Sequence, residues 1–419
     1  MPHTLLAMRS IAGLTRRQFV QALGLSTVAL STAAPRLLGA AGPLRIGTLL
    51  SMTGALEAYG PPIQQGAMLA MEQINNAGGP TGRPIELVHR DCQTDPTAGI
   101  DAAKKLVEVD KVVAIVGALS SGVTIPVATS VTIPSRVVQI SPASTSPQIT
   151  QLADEGFLFR TCPSDALQGK VSGKLAKELG FKTIATIYVN NPYGKGLSDN
   201  FVQAFQGHGG QVSATVAYEQ GKPSYRGEIE QVLKGKPDTI AMFSYPENGI
   251  TIMRQALELG FSGKFLLADG MKAPEVVRDV GAQYLKGTYG TAPGAKDSKA
   301  KELFLAAYTA RFGEKPPKPF IDNCYDAVAV LALAAHLAKS DQSWAIRDAV
   351  RQVANTPGHE VQPGEFKEAF QLIDRGEKIN YRGASGEVDF DHYGDVVSPI
   401  EVWKLDDKGN IVTERIEDV

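Results

Sequence analysis

The sequence predicts an α/β protein with two lobes, each built on a parallel sheet that helices cover on both faces. Short apolar runs of strand length, rich in β-branched residues, alternate with longer stretches of helical spacing. Such alternation favours parallel sheets. The pattern restarts after FLFRTCPSD (157–165), and 419 residues suffice for about two or three domains of ~150 residues each. Two lobes of similar size are therefore expected.

The first 41 residues differ in character from the rest of the chain. They hold four arginines and no acid, and TRRQFV (15–20) leads into a mildly apolar run that ends in small residues near Ala40 and Ala41. This pattern is typical of a twin-arginine signal peptide. The run is too short and too polar for a membrane span, and we expect no later segment to cross a membrane. The sequence predicts a signal peptide over 1–41 and a soluble, unlipidated, modestly acidic exported protein.

Four strands are predicted in the first lobe, and they read LRIGTLL, IELVHRD, KVVAIVG and RVVQIS. Between the first two strands, apolar residues at helical spacing predict a helix that ends at the stop signal NAGG (76–79); they are Ile63, Ala67, Ala70, Met71 and Ile74.

The second lobe repeats the pattern with KTIATIYV, QVSATVAYE, DTIAMFS and KFLLADG as strands. Residues 299–339 then return to helical spacing, and the wholly apolar AVAVLALAAHLA within them is expected to be buried. A β-rich tail, GEVDFDHYGDVVSPIEVWKL, closes the chain.

Charge and motifs argue against several classes of function. Basic and acidic residues nearly cancel, at 42 and 44, so no global field favours nucleic acid or an anionic membrane. ALSSG lacks the first glycine of a nucleophile elbow, NPYGKGLSD lacks the third glycine of a nucleotide loop, and DFDHYGD fails the calcium-loop pattern. The six histidines are scattered. We expect no enzyme activity, no cofactor and no metal.

Two clusters of small hydroxyl residues follow predicted strands of the first lobe. Ser120 and Ser121 follow KVVAIVG, and Ser141, Ser144 and Thr145 follow RVVQIS. Ligands of open parallel sheets bind at the carboxyl ends of strands, where hydroxyls and free N–H groups hold a small anion such as a carboxylate. Ordinary helix capping explains such residues equally well.

Longer stretches resemble the periplasmic binding proteins of the branched-chain amino acid and amide type, which serve ABC importers. They are LRIGTLLSMTGALEAYG, GAMLAMEQINNAGGPTGRPIEL, DCQTDP, AAKKLV, IVGALSSG, ISPASTSP, FRTCPSD, YGKGL and LADG. The resemblance implies the type I fold of two Rossmann-like lobes joined by three crossovers near Thr161, Gly290 and Gly383. The first lobe would then hold 43–161 and 291–383, and the second 162–290 and 384–419.

The resemblance also implies ligand contacts. Ser120, Ala143 and Thr145 would hold a ligand carboxylate, and Asp269 would hold its ammonium group. An Asp is shorter than the Glu often found in this family, and an Asp-Gly pair is more often a surface turn. Lys272 is either a solvated charge or, in a cleft, a partner of Asp269 or of an acidic ligand.

Four aromatic residues fall at family positions that line the ligand pocket: Tyr59, Tyr193, Tyr245 and Phe320. A tyrosine offers an apolar face and one hydrogen bond, which suits closure over a small ligand. Routine packing is the alternative for each of them.

Three cysteines, Cys92, Cys162 and Cys324, are an odd number for an exported chain. We interpret them as mostly buried small residues, and a disulfide between two of them is not predictable. The disulfide of the family's first lobe is not expected, since Leu119 occupies the position of its second cysteine.

The resulting hypothesis is a monomeric periplasmic protein that captures an amino acid by hinge closure and presents it to an inner-membrane ABC permease. It has no nucleic-acid partner. Binding of aromatic carboxylates or amides, and ligand sensing without transport, remain alternatives.

Overall fold

The computed structural model describes residues 42–418, and the predicted signal peptide over 1–41 lies outside them. The strands are β1 Leu44–Leu50, β2 Ile85–Asp91, β3 Ala114–Gly117, β4 Val138–Ser141, β5 Leu158–Arg160, β6 Thr183–Val189, β7 Gln211–Tyr218, β8 Thr239–Phe243, β9 Lys264–Leu267, β10 Tyr289–Pro293, β11 His359–Val361, β12 Ile379–Gly383, β13 Gly386–Glu387, β14 Ile400–Leu405 and β15 Ile411–Glu417. The α-helices are α1 Gly60–Asn76, α2 Pro96–Glu108, α3 Ser121–Val127, α4 Asp165–Glu178, α5 Pro192–Gly207, α6 Arg226–Leu233, α7 Pro246–Glu258, α8 Pro274–Val280, α9 Lys299–Phe312, α10 Ile321–Ala338, α11 Ser343–Ala354 and α12 Phe366–Asp374.

The first sheet has five strands in the order β2-β1-β3-β4-β5, and all of its pairs are parallel. The second sheet has seven strands in the order β15-β14-β10-β9-β8-β6-β7. Its strands β6 to β10 are parallel, whereas β14 and β15 form an antiparallel hairpin at one edge. The predicted fold class, α/β with parallel-sheet lobes, is confirmed, and the β-rich tail supplies this antiparallel edge.

The chain passes between the two large sheets three times: after β5, after β10 and before β14. The first passage is tied to the others, since Arg160 donates to Asp395 over 2.7 and 2.6 Å and the Thr161 hydroxyl donates to the carbonyl of Asn323 over 2.9 Å. Gly290, a predicted crossover, lies inside β10, and Gly383 ends β12 of a separate three-stranded sheet. The lobe boundaries stay predictions.

Helix α10 contains the apolar run AVAVLALAAHLA and packs against α1 and α11. By length and composition it is apolar enough to cross a membrane, contrary to the expectation that no later segment is. However, 83% of its residues are buried within the fold. A core helix covered on every side carries the same apolar signal as a membrane span.

Candidate ligand-binding site

The two large sheets each have a point at which the strand order reverses, and the predicted site residues follow the strands there. In the first sheet this point lies between β1 and β3, which Tyr59 and Ser120 follow. In the second it lies between β6 and β8, which Tyr193 and Tyr245 follow. Ligands of open α/β sheets bind in the crevice outside such a point. The topology therefore directs side chains from both sheets to a shared crevice.

A cavity lies between these loops. The space inside its lining is about 320 Å³, and only about 20 Å³ of this admits the centre of a water molecule. Six predicted residues line it, and they are Tyr59, Ala143, Tyr193, Tyr245, Asp269 and Phe320. Leu56, Ile63, Leu119, Ser121 and Gly270 complete the lining. The lining is mostly apolar, and its polar groups include two phenol hydroxyls that contact other buried groups and the carboxylate of Asp269.

Side chains that follow different sheets touch across the cavity. The hydroxyls of Ser120 and Tyr245 are 2.9 Å apart, and Asn191 donates to the same tyrosine oxygen over 3.0 Å. The Tyr59 hydroxyl donates to the carbonyl of Asp269 over 2.8 Å. These contacts join side chains that follow strands of different sheets around the cavity.

The two tyrosines of the second lobe form a stacked pair. Their ring centroids are 5.5 Å apart and their planes differ by 10°. Tyr193 and Tyr245 are both buried, and Gly270 lies against them: a Cβ at this glycine would lie 2.5 Å from the carbonyl of Ser244 and 3.0 Å from the Tyr193 hydroxyl. The close approach of the backbone here requires glycine.

The loop after β4 is fixed by its own hydroxyls. Ser141 donates to the carbonyl of Ala118 over 2.7 Å, and the hydroxyls of Ser144 and Thr124 are 2.8 Å apart. In contrast, the buried Oγ1 of Thr145 has no hydrogen-bond partner among the described residues. This hydroxyl faces the buried carboxylate of Asp165 and lowers its pKa.

Ser120 supports both interpretations of its cluster. It precedes α3, and its Oγ accepts from the backbone N–H of Gly122 over 3.2 Å, as a helix cap does. The same oxygen faces Tyr245 at the edge of the cavity. Capping and a place beside the ligand are compatible, because a hydroxyl has two lone pairs and a proton.

Arg160 supports the loop after β4 from behind. Its fully buried guanidinium donates to the carbonyl of Ser146 over 2.9 Å and to that of Ser144 over 3.4 Å, while its other nitrogens hold Asp395. The carbonyls beside Thr145 are thus fixed by an arginine whose charge Asp395 balances.

Asp269 is a buried carboxylate rather than a surface turn, since only 3% of it is exposed. Its Oδ1 accepts from Gln168 over 2.9 Å and from the Tyr193 hydroxyl over 3.0 Å. Burial raises the pKa of Asp269 to about 6, although both hydrogen bonds act in the opposite direction. Burial likewise raises the pKa of Tyr193 and Tyr59 well above the usual value, so both phenols stay protonated.

Lys272 does not pair with Asp269. Its ammonium pairs with Glu401 of β14, because the hairpin at the sheet edge places that carboxylate beside it. Another lysine, Lys318, lies 5.5 Å from the ring centroid of Tyr59 and pairs with Glu275 over 2.7 Å. Two residues on, Phe320 has a left-handed backbone (φ +72°), a conformation that bulky side chains rarely adopt outside functional sites.

Sequence reasoning missed part of the site. Ser121 belongs to the predicted hydroxyl cluster, whereas the sequence predicts Leu119 only as a position without a cysteine and Ile63 only as part of a helix face. Gln168, which holds Asp269, was not considered, because a polar residue in the first turn of a helix carries no distinctive signal. The three cysteines are buried and free, and the described residues contain no cluster of acids, histidines and cysteines that could hold a metal ion.

Comparison with known proteins agrees with this geometry. The family described as periplasmic binding protein matches residues 43–375. The chain therefore belongs to that family, and within it to the type I binding proteins of the branched-chain amino acid group.

Two relatives show the range of the group. The leucine-, isoleucine-, valine-, threonine- and alanine-binding protein of Pseudomonas aeruginosa is 31% identical over 76% of this chain and 84% of its own. A chemotactic signal transduction system substrate-binding protein, BasB of Halobacterium salinarum, is 28% identical over 88% of both chains.

Solved structures extend the comparison. The substrate-binding protein LivJ of a branched-chain amino acid transporter from Streptococcus pneumoniae, in complex with isoleucine, has a TM-score of 0.74 and 25% identity, and the match covers 90% of this chain and 99% of that one. A solute-binding protein from R. palustris in complex with benzoate has a TM-score of 0.73 at 16% identity, with coverage of 90% and 96%, and shows the fold alone.

Proposed function

We propose that the protein is an extracytoplasmic solute-binding protein that captures a small amino acid, branched-chain or related, for an ABC importer. The observation that carries this proposal is the buried carboxylate of Asp269 in the wall of a small cavity. Its counterparts on the first lobe are the hydroxyls of Ser120 and Thr145. A carboxylate complements an ammonium group, and hydroxyls with backbone N–H groups complement a carboxylate.

The remaining lining supports an apolar ligand side chain. Leu56, Ile63, Leu119 and Phe320 face the same cavity. Removing an apolar ligand side chain from water into this cavity contributes about 25 cal/mol of favourable binding free energy per Å² of buried area.

Capture proceeds by hinge closure. In the open form the ligand carboxylate docks on the first lobe at Ser120, Ala143 and Thr145. The second lobe then brings Tyr193, Tyr245 and Asp269 over it, which completes the site. No bond is made or broken, so the protein acts as a binder and not as an enzyme.

Delivery to a transporter follows from export. The twin-arginine pattern in residues 1–41 supports export, removal of the signal and a periplasmic location. The closed form, in which both lobes contribute one continuous surface, is the form that an inner-membrane permease would recognise. We propose that a monomer performs this role.

An aromatic carboxylate or an amide is the second candidate ligand. The raised pKa of Asp269, about 6, lets this wall of the cavity become uncharged in mildly acidic surroundings, and the stacked tyrosines offer an apolar surface. The benzoate complex shows that the fold accommodates such ligands. Ligand sensing without transport is a further candidate function, and the chemotactic relative supports it.

A thermal-shift screen tests the proposal. The mature protein, refolded to remove any ligand carried through purification, is mixed with amino acids, amides and aromatic carboxylates. A ligand at ~100 times its Kd adds about 2.7 kcal/mol to the free energy of unfolding, which shifts the melting temperature clearly. Shifts with leucine, isoleucine or valine support the proposal. Shifts only with acids that lack an amino group overturn it in favour of the second candidate.

A further inference from the structure

A second buried carboxylate lies behind the cavity. Asp165 is the first residue of α4 and is completely buried, and no cation pairs with its carboxylate among residues 42–418. Neither oxygen has a well-aligned hydrogen bond, although the Thr145 hydroxyl lies close enough to lower the pKa of Asp165. Its backbone N–H donates to the carbonyl of Thr145 over 2.8 Å. Gln168, three residues later on the same face of α4, donates to Asp269. Asp165 thus lies next to both halves of the proposed ligand site.

The charges around Asp165 leave it uncompensated. The nearby cation is Arg160, whose guanidinium is committed to Asp395 and to the carbonyls of Ser144 and Ser146. Cys162 stays a neutral thiol, since burial raises its pKa. With Asp269 also ionised, two negative charges would share a dry site that holds no free cation, which is highly unfavourable.

The direction of the electrostatic effects agrees with this arrangement. Burial and the negative charge of Asp269 raise the pKa of Asp165 well above the usual value. The other titratable groups facing the pair are the phenols of Tyr59, Tyr193 and Tyr245, which stay neutral because their pKa values are also raised. Two such carboxyls titrate together as a unit.

We propose that Asp165 and Asp269 form a pair that shares one proton in the free protein and releases it when the ammonium group of a ligand binds. Asp165 is then a specificity-determining residue that makes this end of the site select a cation. The carboxylate oxygens of Asp165 and the unpaired Oε1 of Gln168 are the buried groups that the ligand, or water it orders, would satisfy. The inference rests on the proposed function, since it assigns a partner to the ligand's ammonium.

The sign of the proton exchange separates the ligand classes. An ammonium group favours two ionised carboxylates, so an amino acid releases a proton and its Kd rises, by up to roughly tenfold per pH unit, as the pH falls. A carboxylate ligand without an amino group favours the protonated pair, so it takes up a proton or exchanges none.

Calorimetric titration with leucine tests the inference. The titration is run between pH 5 and 7 in two buffers that differ in their enthalpy of ionisation, and the difference in heat counts the protons exchanged. The wild-type protein should release up to one proton per leucine. At pH 7 the release should fall close to zero in Asp165→Asn while binding persists, because burial alone leaves the pKa of Asp269 at about 6, so that this carboxyl is already mostly ionised. Asp199→Asn removes an equal charge from the exposed face of α5 and should release protons as the wild type does.

A measurement without ligand keeps the two proposals separable. In the full mature chain with ¹³C-labelled aspartate carboxyls, one NMR signal should titrate well above the range of the surface aspartates and be lost in Asp165→Asn. A second, from Asp269, should move to lower pH in that variant. If no raised signal depends on Asp165, the pair is refuted. If the signals behave as expected but only acids without an amino group bind, the pair stands and the amino-acid assignment fails.

Discussion

The hydroxyls of Ser120 and Tyr245 lie 2.9 Å apart, although one residue follows a strand of the first sheet and the other a strand of the second. Both side chains are buried, and Asn191 shares the tyrosine oxygen. This contact links loops that follow strands of the two large sheets. Removing it probes closure without altering either sheet.

Tyr245→Phe should weaken leucine binding roughly fivefold, because it removes a hydrogen bond worth about 1 kcal/mol that only the closed form makes. Calorimetry on both proteins measures the change. Tyr308→Phe is the matched control, since its hydroxyl contacts Gln65 away from the cavity and should leave the affinity unchanged. Tighter binding by Tyr245→Phe would show instead that the ligand has to break this contact.

Gly270→Ala should lower the affinity at least about tenfold, because the new Cβ pushes Tyr193 and the chain at Ser244 away from the cavity. Gly227→Ala, in α6 with open space at its Cβ, is the control and should leave binding intact while stabilising the helix by up to about 1 kcal/mol. Binding isotherms and melting curves of both variants provide the comparison. Normal affinity in Gly270→Ala would mean that the second lobe does not define the site.

The sequence predicts most of the framework of this molecule. Its strands appear where β-branched runs occur, and Tyr59, Ser120, Tyr193, Tyr245 and Asp269 lie at the carboxyl ends of strands as expected. These positions are predictable because a strand's end and the loop after it are local features.

What the sequence does not predict is how distant segments meet. Lys272 pairs with Glu401 because a hairpin far along the chain forms the sheet edge. Asp165 resembles an ordinary acid in the first turn of a helix, which helix dipoles favour. Only burial between two loops reveals that no cation pairs with its carboxylate.

Arg160→Met should destabilise the protein by about 3–5 kcal/mol, since it leaves the Asp395 carboxylate without a cation, with only the Thr150 hydroxyl donating to it, and removes a donor from the carbonyl of Ser146. Urea denaturation, followed by the fluorescence of the buried Trp403, measures this loss. The double variant Arg160→Met/Asp395→Leu should recover part of it, because the uncompensated charge is gone. A loss below about 1 kcal/mol in the single variant would contradict the structural role of the pair.

The stability of the ligand-free protein should fall as the pH rises from about 4 to about 6. Asp269 has its pKa raised by burial to about 6 in the folded state, so the folded protein binds this proton more tightly than the unfolded chain does. Protonation of Asp269 stabilises the folded protein fully at pH values below the pKa that this residue has in the unfolded chain. This stabilisation, up to about 3 kcal/mol, is lost as the pH rises past the pKa of Asp269 in the folded protein. Asp269→Asn should reduce the slope of the profile measured by chemical denaturation, and the slope that remains comes from the buried Asp165. An identical slope in both proteins would place the titration elsewhere.

The proposed role of Asp269 is to hold the ammonium group of an amino acid. Calorimetry with leucine and with 4-methylpentanoate, which has the same carbon skeleton without the amino group, tests this role on the wild type and on Asp269→Asn. The variant should lose at least about 30-fold in affinity for leucine and should bind 4-methylpentanoate no more weakly than the wild type does. Unchanged leucine affinity in Asp269→Asn would contradict the proposed role.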